Sequence, residues 1–303
     1  MTILVAGATG LAGSAIVREF TRIGKNVVGI SSKDLNLLDR NATFVLLNEV
    51  KPTSVIDAAA KVGGIGANNS YPVEFLSENI QIQTNLMDAS NKAQVKKFVF
   101  LGSSCVYPKN CPQPIKEEYL MTGPLEPTNS AYAIAKVAGI ELIKSYRKEF
   151  GHSWISVIPT NLYGPNDNFD LDKSHVFAAL IRKFIEAKKR DLESVTLWGT
   201  GLPRREFLHV DDLAKAIVLC LNQYDSSDPI NIGSGSDLTI SELAAKIASV
   251  VGFEGSIGWD STKADGTPQK VLDIKKLSDL GWKPSISLNE GIKSTVEWYI
   301  KNK

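Results

Sequence analysis

The chain has 303 residues, 34 Lys plus Arg against 33 Asp plus Glu, a formal charge of +1, and 43% hydrophobic residues. That is enough chain for one large domain or two smaller ones around a packed core. The near-zero charge excludes the basic footprint of a nucleic-acid binder, and the apolar and aromatic content excludes a disordered acidic chain.

The three cysteines, Cys105, Cys111 and Cys220, fit neither a disulfide framework nor a CxxC metal pattern, and they point to a reducing compartment. No apolar run approaches the ~18 residues of a membrane span. No basic segment followed by an apolar one opens the chain as an export signal. The expectation is a cytoplasmic globular protein with no metal, no membrane and no nucleic acid as partner.

In chain order, residues 3–6 read as a buried strand, 11–23 as a helix and 26–30 as a second strand. Further apolar runs lie at 54–57, 98–101 and 155–158, with helical patterns at 73–92 and 131–150 between them. Strands that are apolar throughout and alternate with helices form a parallel sheet covered on both faces. Right-handed crossovers make this a doubly wound α/β Rossmann sheet. Beyond Pro159 the pattern loosens. Residues 161–173 read as a long loop, 175–188 as a helix, and 195–198, 206–210 and 229–232 as strand-like pieces. Helices are expected at 212–223, 241–251, 275–280 and 289–301. The expected division is a nucleotide-binding half at 1–165 with a returning segment at about 206–233, and a smaller, partly interleaved α/β substrate lobe at 166–205 and 234–303.

Gly7-Ala8-Thr9-Gly10-Leu11-Ala12-Gly13 joins the first strand to the first helix. Glycines at this spacing allow a tight turn, close approach of backbone to a pyrophosphate, and close packing of helix on strand. The helix N-terminus offers free N–H groups to the phosphates. Gly7, Thr9, Gly10, Leu11 and Gly13 are therefore candidate dinucleotide contacts. An acid about 20 residues further on marks NAD sites. Here Ser31-Ser32-Lys33 follows the second strand instead. The hydroxyl of Ser32 and the ammonium of Lys33 suit the 2′-phosphate of NADPH. Asp39 is either a neighbour of the adenine or the start of a helix.

Tyr132 and Lys136 stand at i and i+4, on one face of the expected helix. An ammonium beside a phenol favours the phenolate and lowers its pKa from about 10, and the same lysine can hold a nicotinamide ribose. Ser103 follows the run at 98–101, at the carboxyl edge where ligands bind such sheets. Its hydroxyl can orient a carbonyl opposite Tyr132. Glycine loop, Ser, Tyr and Lys in this order resemble the extended branch of the short-chain dehydrogenase/reductase superfamily. The resemblance implies Ser103, Tyr132 and Lys136 as the catalytic set, with NAD(P) at the glycine loop.

Longer stretches narrow the resemblance. AKVGGI at 60–65, ANN at 67–69, LGSSCVYP at 101–108, LEPTN at 125–129 and PTNLYGP at 159–165 are similar to the GDP-L-fucose synthase family. So are DNF at 167–169, SHV at 174–176, REFLHVDD at 205–212 and DGTP at 265–268, so the similarity spans nearly the whole chain. That family epimerises carbons 3 and 5 of GDP-4-keto-6-deoxy-D-mannose, then reduces carbon 4 with NADPH to give GDP-L-fucose. Inversion needs a base on one face and an acid on the other, and the resemblance implies Cys105 and His175 as that pair. Ser103 and Tyr132 would stabilise the enolate oxygen.

The resemblance also implies substrate contacts from Asn161, His175, Arg205, Asp265 and Lys270, and from Lys183 where some members carry Arg. Arg205 is suited to a bidentate grip on diphosphate. Trp198 either stacks on guanine or packs in the core of the small lobe. Where some members place Arg in the glycine loop and past the second strand, this chain has Thr9 or its neighbours and Ser32. Asp57, at the end of an apolar run, receives no role. Members pair through two long helices, so 73–92 and 131–150 are expected to build a homodimer as an intermolecular helical bundle. The same residues would serve a related GDP-4-keto-deoxy sugar, such as a dideoxy sugar or a heptose. A reading of another class is a non-catalytic NADP sensor on the same fold.

Overall fold

In the computed structural model, which describes residues 2–171, 174–263 and 265–303, the apolar runs become the strands of one parallel sheet. The first half of the chain runs β1 (Thr2–Ala6), α1 (Leu11–Arg22), β2 (Asn26–Ile30), α2 (Arg40–Val50), β3 (Ser54–Asp57), α3 (Ile65–Ser70), α4 (Pro72–Lys92), β4 (Lys97–Leu101), α5 (Ser130–Phe150) and β5 (Ile155–Pro159). The second half runs β6 (Asn161–Tyr163), α6 (Val176–Lys189), β7 (Ser194–Trp198), β8 (Arg204–His209), α7 (Val210–Gln223), β9 (Ile230–Ile232), β10 (Asp237–Thr239), α8 (Ile240–Val251), β11 (Ser256–Asp260), β12 (Gln269–Lys270), α9 (Lys275–Asp279) and α10 (Leu288–Asn302).

The large sheet has the order β2-β1-β3-β4-β5-β9, and every neighbouring pair is parallel. Its central strands β3 and β5 are buried along their whole length, which is why they read as mainly apolar runs, broken only by Ser54, Asp57 and Ser156, instead of alternating. On one face Ile3, Val5, Val99 and Val157 pack against Ile16 and Phe20 of α1 and Leu213 and Ile217 of α7. On the other face Leu4, Val55, Phe98 and Phe100 pack against Leu47 of α2, Leu86 of α4, and Ile140 and Ile143 of α5. Burying each of these large side chains contributes ~1.5–3 kcal/mol. A third core joins Phe177 and Phe184 of α6 to Leu243 and Ile247 of α8 and Ile292 of α10. Its sheets are short: β8 pairs parallel with β6 and β12 and antiparallel with β10, and β7 pairs parallel with β11.

Two expectations change. The loop expected at 161–173 opens with a strand, β6, whose partner β8 lies far off in sequence, so three residues of local pattern cannot announce it. Residues 172 and 173 of that expected loop lie outside the described residues. The returning segment expected at about 206–233 also divides. Residues 206–209 stay in the small sheet as the end of β8, whereas α7 packs on the large sheet and β9 completes it.

Asp212, buried in the first turn of α7, ties the two parts together. Its carboxylate accepts from Ser285 N and Ile286 N at 2.8 Å, from Ser285 Oγ at 2.6 Å and from Lys215 Nζ at 3.1 Å. Burial opposes the charge, but these bonds outweigh it and hold the carboxyl below its ordinary value. A depressed carboxyl stabilises the fold above the usual aspartate value of about 3.9, and that contribution is lost as pH falls through the folded value. Asp212→Asn should therefore lower unfolding stability by about 2 kcal/mol at pH 7, with a deficit that narrows in denaturation curves taken below about pH 4.

Candidate active site

The glycine loop is built for close contact. Gly7 leaves β1 at φ +78°, a left-handed conformation, and a Cβ there would lie 2.7 Å from the Ala58 carbonyl oxygen. A Cβ at Gly13 would collide with the Gly7 carbonyl, so α1 sits as near the loop as backbone allows. Gly10 differs: a Cβ there would meet only the Gly7 carbonyl oxygen, at 3.4 Å, and otherwise open space. No side chain caps α1, and no acidic residue stands in its first turn. Free N–H groups and the positive end of the helix dipole therefore border an open cradle, with Thr9 exposed beside it and Leu11 partly buried. After β2, Asp34 accepts from Ser31 N at 2.8 Å and from Ser31 Oγ at 2.6 Å, a turn that leaves Ser32 and Lys33 exposed. Cradle and cations fit a dinucleotide with a 2′-phosphate. Asp39 proves to be the N-cap of α2, its carboxylate accepting from Ala42 N at 3.0 Å.

Past the end of β4, Ser103 Oγ accepts from Cys105 N at 3.3 Å and so caps the single helical turn Ser104–Val106. Cys105 Sγ accepts from Asn129 Nδ2 at 3.3 Å. Helix α5 brings Tyr132 and Lys136 to the same edge, where the nearby Ser103 hydroxyl favours the Tyr132 phenolate. Burial, then the field of Cys105, outweighs that influence and raises the phenol above the ordinary tyrosine value. This reverses the expectation of a phenol lowered by Lys136. The Lys136 ammonium lies 5.9 Å from the Tyr132 ring centroid and donates to the Leu101 carbonyl at 2.8 Å. Tyr132 is thus a proton donor throughout the neutral range. Lys136 is itself interior, and burial pushes it down to about 8 against the upward pull of Asp57.

His175 is the N-cap residue of α6, yet its imidazole makes no capping hydrogen bond. Much of the residue is exposed, but the ring sits where surrounding protein disfavours its charge. Burial lowers it below the usual histidine value, so it is neutral at pH 7.

On the small sheet, parallel register sets Arg205 of β8 opposite Lys270 of β12, so both cations share one face. Burial lowers the Arg205 guanidinium, and the fields of Cys105, Asp265 and Glu126 act the other way. Arg205 therefore links the cysteine to the smaller lobe. Asp265 accepts from Thr200 N at 2.8 Å and Thr200 Oγ1 at 2.7 Å, and Asn161 Nδ2 donates to the Glu206 carbonyl at 2.8 Å. Trp198 resolves its two alternatives. It is 64% exposed, not core, and Lys183 Nζ and Lys263 Nζ stand 5.6 and 5.7 Å from its ring centroid. An exposed indole between ammonium groups suits a base and its phosphates. Lys263 lies outside the sequence motifs, and Asn129, which closes the LEPTN stretch, receives no role from it, because only tertiary folding sets them against Trp198 and Cys105.

Among the described residues no group of three or more His, Cys, Asp and Glu is placed to hold a metal ion. Among the described residues no helix is long and apolar enough to cross a membrane. The cradle makes a direct prediction. Gly10→Ala should weaken NADPH binding about tenfold or more in a fluorescence titration while leaving thermal unfolding nearly unchanged, whereas Gly13→Ala should lower both.

Residues 3–233 match the NAD dependent epimerase/dehydratase family. The chain is 54% identical over 301 residues to GDP-L-fucose synthase 1 of Arabidopsis thaliana, covering 99% of this chain and 93% of that one. It is 46% identical over 310 residues to the GDP-L-fucose synthase of Escherichia coli strain K12, covering 99% and 97%. The fold matches that of a GDP-L-fucose synthetase from Naegleria fowleri bound to NADP with a TM-score of 0.91 and 31% identity, covering 99% and 94%. With a cradle for a phosphorylated dinucleotide at one end of the sheet and a Ser-Cys-Tyr-Lys cluster beside it, the chain belongs to the NAD-dependent epimerase/dehydratase family and, within it, to the GDP-L-fucose synthases.

Proposed function

We propose that the chain converts GDP-4-keto-6-deoxy-D-mannose to GDP-L-fucose, inverting carbons 3 and 5 and reducing carbon 4 with NADPH. One observation carries the reading: Ser103 and Cys105, joined by a hydrogen bond, and Tyr132 and Lys136 of one helix face gather at the end of β4, and Arg205 of the small sheet lies within the electrostatic range of Cys105. A sensor that only binds nucleotide has no use for a phenol held protonated beside a thiol.

The carbon-4 ketone acidifies the protons on carbons 3 and 5. Cys105 and the neutral His175 remove and return those protons, and Ser103 and Tyr132 donate hydrogen bonds to the enolate oxygen. NADPH, when bound, supplies hydride to carbon 4. Tyr132 then gives its proton to the new alkoxide, with Lys136 holding the ribose side of the site. Arg205, Lys270 and Lys183 meet the diphosphate, Trp198 stacks on guanine, and Asn161 and Asp265 position the sugar nucleotide.

On this reading residues 1–165 with about 210–233 bind the cofactor, and 166–209 with 234–303 bind the substrate. Helices α4 and α5 pair with those of a second copy in a four-helix bundle, burying Val73 and Ile134, which are 75% and 48% exposed in the single chain. The cytoplasm, a reducing compartment, suits three unpaired cysteines.

Incubation with the GDP-keto-sugar and NADPH should oxidise the cofactor and yield GDP-L-fucose by product chromatography. In competition at equal concentration, a GDP-4-keto dideoxy sugar or heptose should turn over more slowly; the opposite ranking would reassign the substrate. Cys105→Ser should cut deuterium uptake from solvent at carbons 3 and 5 by about 100-fold or more and slow direct reduction far less. Tyr132→Phe should suppress NADPH oxidation by a similar factor while NADPH still binds.

A further inference from the structure

One buried acid has no part in the steps above. Asp57 ends β3, paired in register with Ala6 of β1 and Phe100 of β4, and has no exposed surface. Its Oδ1 accepts from Ala59 N at 3.1 Å, and its Oδ2 has no hydrogen-bond partner among the described residues. A half-satisfied carboxylate inside a sheet is costly unless a cation faces it. An apolar residue would complete this strand at no such cost, so packing does not account for the acid.

Lys136 is the facing cation. Its Nζ stands 4.7 Å from the ring centroid of Phe100, the register neighbour of Asp57, and donates to Leu101 one residue further along β4. Burial raises Asp57 to about 6, with the Lys136 charge opposing; burial lowers Lys136 to about 8, with the Asp57 charge opposing. The other groups facing this pair are few. From α5 itself comes Tyr132, which also feels Asp57. From β4 come a ring and a carbonyl, and from α4 the uncharged amide of Gln83, which donates to Ala135 O at 2.8 Å.

We propose that Asp57 is a positioning residue that keeps Lys136 charged, and so anchored on the Leu101 carbonyl beside Tyr132, at neutral and mildly alkaline pH. The proposal rests on the reductase reading and adds to it the group that sets the alkaline limit of the reaction. The carboxylate raises Lys136, so its removal lets the ammonium lose its proton at lower pH.

Asp57→Asn keeps the side-chain shape and removes the charge; Asp57→Leu is the apolar counterpart. In kcat profiles for NADPH-dependent reduction, both should move the alkaline limb down by about one pH unit. That is about a fivefold loss at pH 8, where the wild-type Lys136 is itself half deprotonated, approaching tenfold above about pH 9, with near parity at pH 6, where Asp57 is itself half protonated. A second measurement needs no substrate. In thermal unfolding at pH 7.5, Lys136→Met should destabilise the wild type more than it destabilises Asp57→Asn, because in the latter no carboxylate is left unpaired. Additive effects would overturn the pairing. Non-additive effects with an unmoved alkaline limb would make Asp57 a structural partner only and overturn the positioning role. If the wild type reduces nothing, the functional reading fails, and the unfolding cycle still decides whether Asp57 and Lys136 act on each other.

Discussion

The ammonium of Lys136, bonded to the Leu101 carbonyl, fastens helix α5 to the last residue of β4. The rest of the site depends on that tie. One turn later, Gly139 lies so near Phe100 that a Cβ would collide with the ring, so the helix runs flush against the sheet. One turn earlier, the same helix carries Tyr132, whose height above the strand end is fixed by the bond below it. Ser103 and Cys105 occupy the first turn beyond β4 and therefore meet Tyr132 without any long loop to position them. A charge this deep disfavours itself by desolvation. The site accepts that cost because a neutral amine would hold neither the carbonyl nor a nucleotide ribose as firmly.

The strands of the large sheet were legible because burial on both faces writes a continuous apolar run. The five runs read from sequence became β1, β2, β3, β4 and β5 with at most one residue of difference at either end. The long helices α4 and α5 were legible from their length of 21 residues each between strands, although the buried face of α4 mixes Phe75, Leu86 and Met87 with Asn79, Gln83 and Asn85. The short elements β6, β10 and β12 were not. Each has three residues or fewer, and its pairing is supplied by β8 rather than by its own pattern. In the site, the glycine loop and the Tyr132–Lys136 pair could be read because local spacing carries their geometry. The direction of the Tyr132 shift could not. It is set by how much protein surrounds the hydroxyl, and the nearby lysine, the only influence visible in sequence, points elsewhere.

A charge of +1 overall sits comfortably with two diphosphate ligands. On the proposed reading one falls to backbone N–H groups at the start of α1, which carry no formal charge. The other falls to Arg205 and Lys270, set side by side by strand register. Each device is local, so a few oriented groups serve where a basic surface would otherwise be needed.

The short strands have a mechanical consequence. The chain steps from the large sheet to the small one across a single residue, Thr160, whose N–H donates to Ile232 of β9 and whose hydroxyl donates to Glu206 of β8. It steps back from β8 directly into α7 with no residue between, and out again between β9 and β10. Such a seam is stitched at several points, each too short to act as a swivel. Several short crossings restrain the two halves in more directions than a single linker would. The cradle at Gly10 and the cluster at β4 follow strands of the same sheet, β1 and β4, so no seam runs between them.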